Sequence, residues 1–239
     1  MDTIKIERKK TKLIAHRGLS GIERENTAAA FVAAGNRGYD GIETDIHHTA
    51  DGKYILFHDN HTARLNETDL TIEKSKFDDL RAIRLYDHFN KKRGDLCLPT
   101  PEEYLRICRT YEKTAVLELK CRFQEQEIAE ILKMVHNEYD LKQMVFISFL
   151  WENLLLVRKQ EKKAHLQFLT SDAVDSLDLA AMRANRIGLD IYYPKLNRDH
   201  ITQLHKQGIE VNCWTVDDKK DAARLIKWGV DYITTNILE

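Results

Sequence analysis

Residues Gly41 to Asp59 have the sequence GIETDIHHTADGKYILFHD, two strand-like runs separated by the turn sequence Ala50-Asp51-Gly52. The pattern predicts a strand, a tight turn and a returning strand. Side chains alternate along a strand, so Glu43 and Asp45 point the same way, and two carboxylates facing an interior need a proton, hydrogen bonds or a cation. The returning strand ends at His58, so the hairpin gathers two acids and one imidazole. Considered alone, it is equally consistent with an ordinary charged surface hairpin.

The segment before the hairpin has the pattern of one β-α-β unit. Lys12 to Ala15 form a short apolar run that is typical of a strand. The run AAAFVAAGNRG that follows predicts a helix, which either Asn26 or Thr27 can cap. Its small side chains allow the helix to lie close to a sheet, and the first strand of the hairpin comes directly afterwards.

Strands and helices continue to alternate after residue 98. The count reaches about eight strands, and the 239-residue length is near the ~250 residues of a typical (β/α)8 barrel. The sequence therefore predicts an α/β fold of the TIM-barrel type. A doubly wound open sheet is the alternative, although no G-x-G-x-x-G motif follows the first strand to support its nucleotide-binding form. The predicted later strands are 115–120, 145–149, 166–170, 188–192, 209–216 and 230–234.

We expect residues 1–239 to form a single catalytic barrel domain. The chain has only 3 prolines and no low-complexity tract, and no linker divides it. Residues from about 60 to 98 break the alternation and are too many for an ordinary βα loop. We therefore predict a small insertion after the second strand, lying over the mouth of the barrel, with a helix at Lys76 to Ile83.

The composition argues against several classes of partner and location. A formal net charge of −1 provides no basic field for a nucleic-acid backbone. The N-terminus lacks an apolar signal region and no apolar run approaches ~18 residues, so we expect neither secretion nor a membrane span. The four cysteines form no C-x-x-C pair and have no zinc-like partners nearby in the sequence, which suits packing roles in a reducing compartment. We expect a cytoplasmic protein, and its oligomeric state is left open.

Polar residues collect where the predicted barrel strands end. In a (β/α)8 barrel these carboxyl ends form one face, which carries the active site. Apolar strands that end in such groups are costly to fold unless the groups find partners or a ligand. The candidates are His16 and Arg17 after the first strand, Glu43 and Asp45 on the second, His58 after the hairpin, Glu118 and Lys120 on the third, Phe149 on the fourth and Trp214 on the seventh.

These residue types together indicate phosphoester chemistry. Three carboxylates that face one mouth suggest a single hard divalent cation, Mg²⁺ or Ca²⁺. Arg17 and Lys120 can neutralise a phosphate, and His16 and His58 are a candidate acid–base pair. A plain salt bridge between Glu118 and Lys120 is the structural alternative for those two residues.

Other conspicuous residues receive structural interpretations. A lone histidine at a strand end is more often a hydrogen-bonded structural residue than a ligand, so His47 and His48 are left out of the chemistry. A core position for Trp214 is as consistent with the sequence as a place at the mouth. Asp59 is expected to orient His58 or to cap the turn.

The ordered set of motifs resembles the glycerophosphodiester phosphodiesterase family from residue 13 to the last strand. H-R-G alone would be a weak signal, but the order and spacing of the whole set make the resemblance specific. The matching motifs are His16-Arg17-Gly18, Glu25-Asn26-Thr27, Glu43-x-Asp45, Thr49-x-Asp51-Gly52, His58-Asp59, Leu98-Pro99-Thr100, Glu118-x-Lys120, Ser148-Phe149 and Trp214-Thr215.

The resemblance implies a barrel enzyme that hydrolyses a small-molecule glycerophosphodiester to glycerol 3-phosphate and an alcohol. An initial attack by a glycerol hydroxyl, giving a cyclic phosphate, is implied only by analogy with related barrels. The implied roles are cation ligands for Glu43, Asp45 and Glu118, general acid and base for His16 and His58, phosphate contacts for Arg17 and Lys120, and glycerol-side contacts for Phe149 and Trp214.

Two departures from the family's pattern lie on loops near the predicted mouth. Arg24 stands where the family usually has proline, and Ala63-Arg64-Leu65-Asn66 stands where it commonly has a longer R-T-T-like segment. Neither departure includes a proposed ligand, so the chemistry is not put in doubt. Both bear on the choice of substrate, because they lie on loops near the mouth.

Two alternative functions remain open. A lysophospholipase D would use the same site on a diester with an acyl chain and would need an apolar track beside the mouth. A catalytically silent barrel would usually have lost a ligand or an acid–base residue, and this chain retains them all. The apolar residues that suit either a track or the insertion's own core are Phe77, Leu80, Ile83, Leu85, Tyr86 and Phe89.

Overall fold

Eight parallel strands close into a barrel in the computed structural model, which describes residues 2–239. The strands are β1 Lys12–Ala15, β2 Gly41–His48, β3 Tyr54–Leu56, β4 Thr114–Leu119, β5 Met144–Ser148, β6 His165–Thr170, β7 Ile187–Tyr192, β8 Val211–Trp214 and β9 Tyr232–Thr235, and all except β3 belong to the barrel. β1 closes the barrel by pairing with β9 at Lys12↔Tyr232 and with β2 at Ile14↔Gly41. The predicted (β/α)8 barrel is therefore confirmed, and the open sheet is wrong.

Helices connect successive barrel strands, and their ends follow from local sequence. The helices are α1 Ala28–Gly35, α2 Phe77–Ala82, α3 Pro101–Thr110, α4 Glu125–Glu138, α5 Trp151–Gln160, α6 Leu179–Asn185, α7 Arg198–Lys206 and α8 Lys219–Trp228. Of the two candidate caps of α1, Thr27 is used, because its side chain accepts a hydrogen bond from Ala30 N. Thr100 and Glu103 form a reciprocal capping box that starts α3. Gly229 ends α8 in the left-handed region.

The predicted hairpin is present, and its second strand, β3, lies outside the barrel. β3 runs antiparallel to β2, and Gly52 in the turn has φ +72°, a value that favours glycine. After β3, Phe57 N donates a hydrogen bond to Asp45 O over 3.0 Å. This bond brings His58, the next residue, alongside the strand that carries the acids.

Buried apolar side chains fill both the inside of the barrel and the layer between strands and helices. Alternate residues of β2 divide between these layers, with Ile42 and Ile46 in the outer cluster. The inner cluster consists of Ile14, Val116, Val145, Ile147, Leu169 and Tyr232, with Trp214 packed against it. The charged residues of β2 and β4 are therefore held next to an apolar barrel interior.

Residues 60–98 build a small core of their own against the hairpin. α2 confirms the predicted helix in a shorter form, because Lys76 and Ile83 at its ends have extended backbone angles. Phe89 stays outside this core and is 82% exposed. The buried core residues are Ile55, Phe57, Leu65, Ile72, Leu80, Ile83, Leu85, Leu96 and Leu98.

β8 is shorter than the predicted strand 209–216. Ile209 N donates a hydrogen bond to Leu204 O of α7. Ile209, the first residue of the predicted strand, is therefore bonded to the helix, and β8 begins at Val211. Within residues 2–239, no helix is long and apolar enough to cross a membrane. The four cysteines, Cys97, Cys108, Cys121 and Cys213, are all free.

Candidate active site

Three carboxylates converge at the carboxyl ends of β2 and β4. Oxygens of Glu43, Asp45 and Glu118 all lie within 4.8 Å of one another, and all three residues are buried. The strand register causes this convergence, because Asp45 pairs with Glu118 across the two strands. Glu43, two residues earlier on β2, points to the same side.

The protonation of this cluster is uneven. Burial, followed by the neighbouring charge of Asp45, raises the pKa of Glu43 and raises that of Glu118 to about 8. Burial also opposes the ionisation of Asp45, but Lys120 and Arg17 outweigh it and hold its pKa well below its usual range. Asp45 is therefore the carboxylate that ionises most readily, and the protonated form is favoured at Glu43 and Glu118.

The cluster fits a hard divalent cation. Asp45 Oδ1 is buried and accepts no hydrogen bond from residues 2–239, and Lys120 Nζ lies 3.5 Å from it. Lys120 Nζ also lies 3.0 Å from Glu118 Oε1, so this lysine partly neutralises the cluster. A group of carboxylate oxygens with an unpartnered buried oxygen is the donor set that Mg²⁺ and Ca²⁺ accept.

The H-R-G loop after β1 supports the acids through its backbone and carries a fixed guanidinium. Arg17 N donates to Glu43 Oε2 over 2.8 Å, and its Nη1 donates to Glu25 Oε1 over 2.8 Å. Arg17 and Gly18 have φ values of +54° and +75°. A Cβ on Gly18 would lie 2.7 Å from the backbone of Ala30, so only glycine fits there.

Asn26 explains the middle residue of the E-N-T motif. Its Nδ2 donates to Asp45 Oδ2 over 2.7 Å, and its Oδ1 accepts from Thr44 Oγ1 over 2.7 Å. Asn26 adopts a left-handed conformation at φ +51°, which asparagine tolerates better than most residues. The asparagine of the E-N-T motif thus holds the Asp45 carboxylate in place by a hydrogen bond.

His16 is held as a neutral imidazole with one free nitrogen. Its Nδ1 lies 2.8 Å from Asn236 Oδ1, and Asn236 Nδ2 in turn donates to Asp217 Oδ2 over 2.6 Å, which fixes the amide orientation. Nδ1 therefore carries the proton and Nε2 the lone pair. Burial, aided by the charge of Arg17, lowers the pKa of His16 to about 4.

His58 is connected to a chain of ion pairs. Its Nδ1 lies 2.6 Å from Asp59 Oδ1, and Arg64 Nε donates to Asp59 Oδ2 over 2.6 Å. Burial lowers the pKa of His58, whereas Asp45 and Asp59 act in the opposite direction. Asp59 thus orients His58, one of the two roles expected from the sequence.

Most of the predicted site residues line one cavity of about 300 Å³. Asp45 and Lys120 lie outside its lining but contact Glu118, as described above. The rings of Phe149 and Trp214 meet edge to face at 5.7 Å, and Phe149 is 45% exposed. The predicted residues on the lining are His16, Arg17, Glu43, His58, Glu118, Phe149 and Trp214.

Several residues of this cavity and of its support are not among the residues predicted from the sequence. Asp190 lines the cavity at 2% exposure, and its Oδ1 has no hydrogen-bond partner within residues 2–239. Burial raises its pKa well above the usual range. Its signal in the sequence was a lone acid in the apolar run that forms β7. Arg64, which holds Asp59 against His58, stood out in the sequence only as part of a departure from the family's pattern, and Asn236, which holds His16, left no signal.

The two loop departures noted in the sequence connect the H-R-G region to the insertion. Arg24 donates hydrogen bonds to the backbone oxygens of Tyr86 and Asp87. Arg64 donates to Glu25 through both terminal nitrogens, at 2.8 and 2.7 Å. Both arginines therefore link residues near the site to the segment 60–98.

Comparisons with known proteins agree on one family. The model of the glycerophosphoryl diester phosphodiesterase family matches residues 16–239. A glycerophosphodiester phosphodiesterase of Caldanaerobacter subterraneus is 29% identical over 229 residues, covering 95% of this chain and 94% of that protein. The structure of an Oleispira antarctica phosphodiesterase with the product sn-glycerol-3-phosphate superposes with a TM-score of 0.87 at 25% identity, covering 94% of this chain and 92% of that one. A Parabacteroides distasonis glycerophosphodiester phosphodiesterase gives a TM-score of 0.80 at 27% identity, covering 96% and 94%.

Proposed function

This chain belongs to the glycerophosphoryl diester phosphodiesterase family and is an enzyme of that activity, and from this premise we propose how its own residues perform the reaction. The activity depends on one divalent cation, Mg²⁺ or Ca²⁺, and on His16 and His58 as the proton-transferring pair. The observation that carries the proposal is that one cavity collects both imidazoles and two of three converging carboxylates. The products are glycerol 3-phosphate and an alcohol.

Glu43, Asp45 and Glu118 are the residues that would hold the cation. When bound, the cation neutralises phosphoryl oxygens and stabilises the charge that develops on them during the reaction. Two observations support this cation site: Asp45 Oδ1 is buried without a hydrogen-bond partner within residues 2–239, and oxygens of the three carboxylates lie within 4.8 Å of one another. Asn26 and the backbone of Arg17 keep the carboxylates in place.

Arg17 and Lys120 serve the phosphate of the substrate. Arg17 Nε is buried and has no hydrogen-bond partner within residues 2–239, so it is free to donate to an anionic oxygen. Glu25 holds the other end of the guanidinium, which fixes the direction of that donor. Lys120, between Asp45 and Glu118, adds a second positive charge beside them.

His16 is the general base and His58 the general acid. His16 Nε2 is a free lone pair at neutral pH, so it accepts the proton of the oxygen that attacks phosphorus. His58 carries its Nδ1 proton towards Asp59, so it takes up a second proton at Nε2 when the anionic phosphodiester raises its pKa. That proton goes to the leaving oxygen as the P–O bond breaks. His16 then releases the proton it gained to solvent and His58 takes one up from solvent, which returns both imidazoles to their starting states.

Phe149 and Trp214 form the glycerol side of the cavity. Their edge-to-face contact gives an apolar wall, and the CH groups of a glycerol backbone pack against such a wall while its hydroxyls point to polar groups. The product sn-glycerol-3-phosphate in the Oleispira antarctica structure supports the same substrate class for this chain.

The lysophospholipase D alternative has less support. An acyl chain needs an exposed apolar track, yet Leu80, Ile83 and Leu85 are buried in the insertion's own core. A silent barrel is disfavoured as well, because all nine predicted site residues are present. We also propose that residues 1–239 form one catalytic unit that includes the insertion. A cytoplasmic location and the lack of a nucleic-acid partner stay predictions from the sequence.

The test is a head-group panel run against several cations. Purified protein is freed of metal with a chelator and incubated with glycerophosphocholine or glycerophosphoethanolamine, and glycerol 3-phosphate is measured with and without Mg²⁺ or Ca²⁺. We expect product only when a divalent cation is present, and little turnover of lysophosphatidylcholine. Equal activity in the metal-free protein would overturn the cation's role, and faster turnover of lysophosphatidylcholine would favour the alternative.

A further inference from the structure

A second group of candidate metal ligands lies beside the carboxylate cluster. His47 on β2, Cys121 just after β4 and Glu73 in the insertion each offer one ligand atom, and these three atoms lie within 4.8 Å of one another. Glu73 lies in the 3-10 turn Ile72–Lys74, far from the other two residues in sequence. The group therefore exists only because the insertion folds back onto the barrel.

His47 carries an imidazole whose two nitrogens make no hydrogen bond of normal geometry within residues 2–239. Its side chain is completely buried, and neither ring nitrogen has a hydrogen-bond partner within residues 2–239. The nearest acid is Glu73, whose Oε1 lies 3.6 Å from His47 Nδ1, too far for a hydrogen bond. Buried imidazole nitrogens without partners are unfavourable. A metal ion placed between the His47 ring and the Glu73 carboxylate would provide a partner for one of the two ring nitrogens.

The donor types select a borderline transition metal over Mg²⁺ or Ca²⁺. An imidazole, a thiol and a carboxylate are the ligand set of zinc sites, whereas the cluster at Glu43 contains oxygens alone. Burial raises the pKa of the Cys121 thiol to about 12, so the thiol stays protonated in the protein without metal. A divalent ion stabilises the thiolate, and the thiol proton passes to solvent when the ion binds.

Glu73 lies near a second histidine, and a backbone hydrogen bond fixes the turn that carries it. His48 Nε2 lies 3.5 Å from Glu73 Oε2, and His48 Nδ1 lies 2.8 Å from Glu127 Oε1 on α4. Ala50 N in the hairpin turn donates to Ser75 O over 3.0 Å, which fixes the 3-10 turn against β2. The Glu73 side chain is 40% exposed, so the group is open to ions from solvent.

We propose that His47, Glu73 and Cys121 bind one Zn²⁺ ion, with water in the fourth position, at a site separate from the oxygen-ligated cation. The ion fastens the insertion to the carboxyl ends of β2 and β4. Its place in the fold is next to the catalytic residues, since His47 follows Asp45 by two positions and Cys121 directly follows Lys120. The site does not depend on the catalytic roles proposed above.

Cobalt provides a direct test, because Co²⁺ replaces Zn²⁺ and a thiolate ligand gives it a charge-transfer absorption in the near ultraviolet. Metal-free wild-type protein is titrated with Co²⁺ and then with Zn²⁺. We expect the thiolate band to rise to saturation and to disappear when Zn²⁺ displaces the cobalt. A cobalt spectrum without that band would overturn the proposal.

Matched variants distinguish this site from the carboxylate cluster. Cys121→Ser should abolish the thiolate band, while Cys97→Ser, which changes a half-buried cysteine of the insertion, and Glu118→Gln should retain it. A band that survives in Cys121→Ser would contradict the assignment.

Thermal unfolding keeps the test decisive if one variant is unstable. Zn²⁺ should raise the midpoint of wild type and Cys97→Ser more than that of His47→Asn, which changes a second ligand, because His47→Asn keeps only the carboxylate cluster as a cation site. Equal Zn²⁺ shifts in Cys97→Ser and His47→Asn would overturn the proposal, because the stabilisation would then come from elsewhere.

Discussion

Arg64 Nε donates a hydrogen bond to Asp59 Oδ2 over 2.6 Å. The same guanidinium binds Glu25 through its two terminal nitrogens, and Glu25 binds Arg17. Asp59 in turn orients His58. One residue of the insertion therefore connects the proposed phosphate contact with the proposed general acid.

Replacing Arg64 should impair catalysis more than folding. Arg64→Lys cannot bridge two carboxylates in the same plane, so we expect kcat to fall about 10–100-fold as His58 and Arg17 lose their orientation. The Arg64 side chain is 44% exposed, so the free energy of unfolding should change little. Arg84→Gln is the matched control, since Arg84 donates to the backbone oxygens of residues 81–83. Steady-state kinetics on glycerophosphocholine that show equal kcat for both variants would remove Arg64 from the site's support.

The leaving group should distinguish the acid from the base. His58→Ala should lose about 10²–10⁴-fold in kcat with choline as leaving group, but much less with a nitrophenolate, which leaves without a proton. His16→Ala should lose activity on both substrates, because the attacking oxygen needs its base in either case. If both variants respond alike to the leaving group, the two roles are assigned wrongly.

The loss of kcat/KM on the acid side of the pH profile should occur at a much lower pH than for an enzyme whose base is an ordinary histidine. His16 works as a base only when neutral, and its pKa is lowered to about 4, so kcat/KM should hold at pH values where a free imidazole is already protonated. The loss should begin only as the pH falls towards about 4. The profile is measured at several saturating cation concentrations. A limb caused by loss of the cation would move with the cation concentration, whereas one caused by protonation of His16 would not. A limb near the unperturbed value of ~6.5 would contradict the buried, neutral His16.

Stabilisation by the catalytic cation should increase with pH. In the metal-free protein the pKa of Glu118 is raised to about 8, above the unfolded value of ~4.3, so its contribution to stability is full below the unfolded value and is lost as the pH rises towards 8. A cation favours the ionised cluster, so the Tm increase on adding Mg²⁺ or Ca²⁺ should grow from about pH 5 to about pH 8. Differential scanning fluorimetry measures this increase, and Glu118→Gln should largely remove it. A shift that is independent of pH would be inconsistent with these ligands.

Asp190 should destabilise the protein at neutral and alkaline pH. Its folded pKa is raised, so the wild type loses stability as the pH rises above the unfolded value of ~3.9, whereas Asp190→Asn does not titrate. We expect the variant to be more stable by about 1–3 kcal/mol at about pH 8 and similar to wild type near pH 4. Denaturant unfolding at both pH values checks this, with Asp175→Asn, whose side chain is 81% exposed, as the control. A difference that does not depend on pH would show that the carboxyl is partnered.

Much of the fold followed from local patterns. The hairpin at 41–59 and a helix cap at Asn26 or Thr27 each depend on residues close together in the chain, so sequence periodicity and cap chemistry predict them. Strand limits were less exact, as at β8, because a hydrogen bond from Ile209 to α7 competed with the strand. The burial of Leu80, Ile83 and Leu85 in the insertion could not be chosen over an apolar track, since both uses need the same residues.

The sequence by itself determined that Glu43 and Asp45 share a face and that the polar residues stand at strand ends. Both facts are local, because they depend on the alternation of side chains along one strand and on the position of each residue within its strand. Only the tertiary structure decided which groups meet across the barrel and its insertion: Asn236 on His16, Arg64 between Asp59 and Glu25, and His47 with Glu73 and Cys121. These contacts join residues far apart in the chain. They are set by the closure of the barrel, the strand register and the path of residues 60–98, which packing fixes and residue spacing does not encode.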